Sequence, residues 1–163
     1  GGFGVTYGHH AVWQFYNPSV EKLNHADMYW YEAIDRPAAF QAGYLKKLME
    51  SRPYLNRIPD PSLVISGQGT TNAEHIEAFR DADGSYAMIY LPVGKKIEIN
   101  TALIKAKRIK AWWFNPRNGN AGKSFSFKAK KTRWFTRPVP GTKNDWVLVI
   151  DDAAKWYAKP GEK

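Results

Sequence analysis

From Leu63 onward the sequence is a succession of short segments rich in Ile, Val, Phe, Tyr and Trp, separated by turn residues. This pattern constrains the fold more than any other feature. The segments are 63–66, 75–80, 85–91, 95–100, 109–115, 124–128, 132–136 and 145–151. Asp83-Gly84 is a hairpin turn between the second and third, and 118–122 is a second turn region. Ile97 and Ile99 alternate with Lys96, Glu98 and Asn100, and Phe125 and Phe127 with Ser124, Ser126 and Lys128, as half-buried strands do. By contrast, 85–91 and 146–150 are apolar on both faces, which suits central strands. The fold expected is mainly β, with a C-terminal antiparallel β-sandwich.

The preceding residues have another texture. Phe3, Val5 and Tyr7 alternate with small residues, which predicts a short strand that Gly8-His9-His10 interrupts. The stretch 37–51 predicts a helix, with Phe40, Tyr44, Leu45, Leu48 and Met49 on one face. Asp35 stands ahead as its N-cap, Pro37 suits the first turn, and Arg52-Pro53 ends it. Residues 54–62 read as a Pro-interrupted connector. The division is therefore placed between 1–58 and 59–163. One strand and one long helix cannot bury themselves, so 1–58 is expected to be the incomplete end of a (β/α)₈ barrel. The chain opens on Gly1-Gly2-Phe3-Gly4-Val5 without an initiator Met and reads as beginning in mid-protein.

Charge is uneven. The formal net charge is +9, yet residues 95–143 hold fourteen Lys and Arg against one acid, Glu98. Such a stretch could attract nucleic acid, acidic polysaccharide or a membrane surface, or simply place Lys on solvent faces and strand edges. Cysteine is absent, which excludes a disulfide scaffold and a thiolate metal site. No run reaches the roughly 18 apolar residues of a membrane span. Adjacent His9 and His10 point to opposite faces in extended chain, and no third ligand has suitable spacing; no metal and no cofactor are expected.

Three stretches, 4–14 (Gly-Val-Thr-Tyr-Gly-His-His-Ala-Val-Trp-Gln), 30–35 (Trp-Tyr-Glu-Ala-Ile-Asp) and 48–53 (Leu-Met-Glu-Ser-Arg-Pro), resemble the last barrel segment of the apiosidase-like family of glycoside hydrolases. Arg80-Asp81, 84–87, 110–119 and 145–152 are similar to its C-terminal companion, a domain named for collagen binding in a collagenase. The resemblance implies hydrolysis of glycosidic bonds in polysaccharide by a barrel whose catalytic carboxylates lie on earlier strands. Ala38-Ala39-Phe40-Gln41-Ala42 departs from the family pattern, where a Gly and a Met are expected. The resemblance also implies that the sandwich braces the barrel, and that the compartment is extracellular or periplasmic.

Tyr7, His9, His10, Trp13 and Gln14 are the candidate substrate-binding residues. Residues at the C-terminal end of a barrel strand face the active site, and aromatic rings with polar neighbours hold sugars. At least two of Tyr7, His9, His10 and Trp13 are expected to open onto one concavity. No catalytic residue is assigned. Glu32, Asp35, Asp81, Asp83, Asp151 and Asp152 each have an ordinary structural place as cap, turn or strand end. Trp112, Trp113 and Trp134 are candidates for a surface that binds polymer by stacking. The partners implied are a glycan substrate and the remainder of the barrel. A free-standing module for collagen or polysaccharide is the alternative, and a basic nucleic-acid-binding domain the weaker one, for lack of any nucleic-acid motif.

Overall fold

A computed structural model describes residues 7–94, 96–129, 131–141 and 143–162. The strand expected at Phe3–Tyr7 lies, but for Tyr7, outside the described residues. Two helices of one turn, α1 (His10–Trp13) and α2 (Trp30–Ala33), precede the longer α3 (Pro37–Glu50). Among the described residues ten strands follow: β1 (Arg57–Pro59), β2 (Val64–Ser66), β3 (Glu77–Asp81), β4 (Tyr86–Leu91), β5 (Lys96–Ile99), β6 (Arg108–Asn115), β7 (Asn120–Ala121), β8 (Phe125–Lys128), β9 (Arg133–Thr136) and β10 (Trp146–Asp152).

All pairings are antiparallel, in two sheets. The larger runs β1-β3-β4-β10-β6-β7, with β8 also pairing β6, and the smaller runs β2-β5-β9. All eight expected segments form strands. The connector does not stay irregular, because Arg57, Ile58 and Pro59 pair with Asp81, Arg80 and Phe79 as an edge strand. An edge position tolerates Pro59, which has no N–H to donate. Strand β1 straddles residues 58 and 59.

Side chains of β4, β6 and β10 alternate between two cores. Ala87, Ile89, Leu91, Ile109, Ala111, Trp113, Leu148 and Ile150 meet Leu63, Ile97, Ile99 and Phe135 between the sheets. Tyr86, Met88, Trp112, Phe114, Val147 and Val149 face the other way and pack on Leu48, with Tyr44 and Tyr157 alongside. The central strands are apolar on both faces because α3 and the C-terminal tail cover the sheet's outer side. Full burial of Leu48 contributes about 1.5–3 kcal/mol.

The cap of α3 differs from expectation. Arg36, not Asp35, is the N-cap, in extended backbone and without a side-chain cap bond. Pro37 at the first helical position imposes that backbone on the residue before it. At the other end, Arg52 Nε and Nη2 donate to Asp151 Oδ1 and Oδ2 at 3.0 and 2.7 Å, with both side chains buried. The guanidinium lies 5.5 Å from the Trp112 ring centroid and 5.1 Å from that of Tyr157. Burial pushes the Asp151 carboxyl up from its ordinary value, and the Arg52 guanidinium opposes it. Arg57 Nε donates to Tyr86 Oη at 2.6 Å, its Nη2 donates to the Met49 carbonyl, and the Tyr86 hydroxyl donates to the Pro53 carbonyl. The end of α3 is thereby tied to the large sheet.

Candidate functional site

The segment before α3 has its own small core of Ala11, Ala26 and Ala33, ringed by Val12, Tyr16 and Met28. Three methyl side chains fill little volume, so the larger residues here stay at the surface. His9 caps α1: its Nδ1 accepts from the Ala11 N–H at 3.2 Å. An accepting Nδ1 places the proton of the neutral ring on Nε2. That atom is 3.8 Å from Asp27 Oδ1, and Asp27 Oδ2 accepts from Arg36 Nη2. Desolvation pushes the Asp27 carboxyl up, but the hydrogen bond and charge of Arg36, with a smaller contribution from His9, outweigh it and hold it below its ordinary value.

His10 and Trp13 come together on the exposed side. Their rings meet edge to face at 5.7 Å, and His10 also meets His25 at 6.1 Å. Trp13 is 67% exposed. Its indole lies against Gly8, where a Cβ would come within 2.0 Å of the ring. Tyr7 is half-buried coil. Gln14 acts as a backbone clasp, since its Nε2 donates to the carbonyls of His10 and Leu23 and its Oε1 accepts from the Leu23 N–H, each at 3.0 Å. The structure thus gathers His10 and Trp13 and turns His9 and Gln14 inward onto the backbone. Two surface concavities lie on the sandwich, and none of these residues lines them.

The tryptophan surface is corrected. Trp112 and Trp113 are 3% and 8% exposed and belong to opposite cores, so neither offers a face to polymer. The strand alternation puts Trp113 between the sheets, while α3 and the tail cover Trp112. Trp134, on edge strand β9, is 46% exposed and carries Lys96 Nζ 4.6 Å above its ring centroid.

The acids have partners of their own. Glu32 Oε2 accepts from the Tyr29 N–H, Asp81 Oδ2 from the Ser85 hydroxyl, and Asp152 Oδ1 from the Ala154 N–H. Asp83 lies in the β3–β4 turn, and Asp35 is exposed. Among the described residues there is no group of three or more His, Asp or Glu placed to hold a metal ion. No helix among them is long and apolar enough to cross a membrane.

Sequence reasoning missed the larger concavity, about 440 Å³, lined by Lys110, Trp112, Ala121, Gly122, Lys123, Ser124 and Lys159. A groove of about 240 Å³ between α3, the β6–β7 turn and the tail shares Ala121 and Lys159 with it. The surplus of Lys and Arg over 95–143 was the available signal for Lys110 and Lys123. Lys159 comes from the tail, and only the fold brings it there.

Residues 1–56 match the family model described as "Apiosidase-like, catalytic domain", and residues 58–151 match the model described as "Putative collagen-binding domain of a collagenase". No curated protein matches the sequence. A solved glycoside hydrolase superposes with a TM-score of 0.85 at 30% identity over 96% of this chain and 34% of its own. A glycoside hydrolase family 5 structure from Bacteroides vulgatus superposes with a TM-score of 0.84 at 28% identity over 97% of this chain and 34% of its own. This chain therefore spans about a third of the length of those relatives. With more than half of its residues, strands β2 to β9 entire among them, matched by the second model, the chain belongs to the family of the collagen-binding domain of a collagenase, joined here to a segment of the apiosidase-like catalytic domain.

Proposed function

We propose that this chain serves a glycoside hydrolase that cleaves polysaccharide, residues 1–58 completing the rim of the catalytic barrel and residues 59–163 bracing it as an accessory sandwich. The carrying observation is the exposed edge-to-face pair of Trp13 and His10, in the segment that matches the catalytic-domain model. An indole face and an imidazole side by side suit a sugar ring, whose C–H face needs apolar contact and whose hydroxyls need polar partners. His9 does not touch substrate in this reading. Through its cap bond and Asp27 it fixes where α1, and hence Trp13, stands. Secretion to an extracellular or periplasmic space accompanies a polymer substrate.

The test uses the longer protein that contains the whole catalytic domain, assayed on a panel of polysaccharides by release of reducing ends. Trp13→Ala is expected to lower kcat/KM about tenfold, the scale of one aromatic contact. Unchanged kcat/KM in a folded Trp13→Ala variant would remove this residue from the substrate path. Intact polymer across the panel with the wild-type protein would remove the hydrolase reading itself.

A further inference from the structure

We propose that the joined concavities on the outer face of the large sheet bind an acidic glycan, its carboxylates against Lys110, Lys123 and Lys159 and its hydroxyls against Asn118 and Asn120. Lys110 is a half-buried residue on the outer face of β6, with its Nζ 4.6 Å above the Trp112 ring centroid. Its cross-strand neighbour is Asp151, whose carboxylate is already held by both arms of Arg52. Lys110 therefore shares with Arg52 a carboxylate whose two oxygens Arg52 already occupies, and makes no ion pair of its own among the described residues. Lys123 forms no ion pair among the described residues, and Lys159 has only a loose, exposed partner, Glu162, at 3.6 Å. No acid lines the larger cavity, and the groove has one, Glu162, set against the two cations Lys47 and Lys159. Three lysines bordering one concavity make its potential positive, and an anionic ligand is drawn to it.

The adjoining groove supplies the complementary chemistry. Tyr44 lies against Gly119, where a Cβ would come within 2.6 Å of its ring; φ there is +74°, a conformation that suits glycine. Asn118 Oδ1 accepts from the Asn120 N–H at 3.0 Å. The two side-chain amides have no other bond among the described residues, and both border the groove. Amides, a ring edge and a cationic end fit a sugar carrying a carboxylate. The combined volume suits small-ligand sites, which span about 300–1,000 Å³. Nucleic acid fits less well. Trp112 is too buried to stack on a base.

The anion site stands on these contacts alone; the choice of a glycan also leans on the hydrolase reading. The experiment is calorimetric titration of this chain with oligogalacturonate, with the same oligomer after reduction of its carboxyls, and with single-stranded DNA. Binding of the oligogalacturonate is expected, weakened about tenfold in Lys123→Gln, the scale of one charge-assisted contact. Asn120→Ala should weaken it severalfold, and Lys96→Gln, on the other sheet, should leave it unchanged. Equal binding of the reduced oligomer, equal loss in Lys96→Gln, or tighter binding of DNA would each overturn the proposal. Titration reads no bond cleavage, so a protein that fails to hydrolyse polymer can still pass this test, and the reverse.

Discussion

The chain holds two regions that solve the packing problem differently. Between residues 7 and 36 the buried core is three alanines, while Trp13, Phe15, Leu23, Tyr31 and Ile34 remain exposed. In the sandwich, Tyr86, Met88, Trp112, Phe114 and the aliphatic residues of β4, β6 and β10 are buried on both faces. Large apolar side chains supply most of the area removed from water, so the sandwich with α3 carries the stability of the chain. The first region presents its large side chains outward. Large apolar side chains exposed within so short a segment suit an interface. In the function proposed above, the remainder of the catalytic domain is what covers these side chains.

Breaking the tie between α3 and the sandwich gives the largest effect. Arg52→Ala leaves the buried Asp151 carboxylate without its hydrogen-bonded counter-charge, with only Lys110 across the strand to attract it. The expected cost is about 3–5 kcal/mol. Thermal unfolding followed by near-UV circular dichroism checks this; a loss below about 1 kcal/mol would mean that water reaches Asp151. Replacing the pair together, as Arg52→Met with Asp151→Leu, should restore much of that loss, since the cost comes from the orphaned charge.

The next effect tests the two regions against each other. Leu48→Ala opens a cavity in the outer core of the sandwich and should cost about 2–5 kcal/mol. Trp13→Ala removes a far larger side chain from the other region, yet should change the stability of this chain by no more than about 0.5 kcal/mol, because the indole is largely in water. Equal losses in urea titrations of the two variants would dissolve the distinction between the regions.

How much of this was legible in the sequence follows from the range of the forces involved. Strand alternation is local, so all eight long segments could be read, as could the double apolar faces of β4 and β10. Strands β1 and β7 are short, lie at the margins of the large sheet, and carry Pro59 and Asn120, residue types depleted in strands. Their strand state comes from their neighbours. Trp112 was misread because its cover, Leu48 and Tyr157, lies far off in the chain on both sides. At the candidate site the residue types were legible, but not their division of labour. Only the fold shows that Gln14 is taken up by the Leu23 backbone and His9 by the first turn of α1.

The smallest effect concerns how the first strand of the large sheet is held. Asp60, just after β1, accepts from Arg80 Nε at 2.6 Å and from the Ser62 N–H at 3.1 Å. Desolvation pushes its carboxyl up, but the bonds from Ser62 and Arg80 outweigh that and hold it below its ordinary 3.8. A carboxyl depressed in the folded state binds fewer protons than in the unfolded chain. Its stabilisation is therefore complete above the unfolded value and is lost as pH falls through the folded one. Asp60→Asn should cost at most about 1 kcal/mol at neutral pH. Its difference from wild type should shrink as pH drops below about 3.8, where the unfolded chain takes up a proton that the folded carboxyl still resists. A difference that stays constant from about pH 7 to about pH 2.5 would assign the contribution to the hydrogen bonds of the turn rather than to the charge facing Arg80. Edge strand β1 would then owe its place to backbone pairing with β3, the bonds of Arg57 and those of the turn, and not to the Asp60 charge.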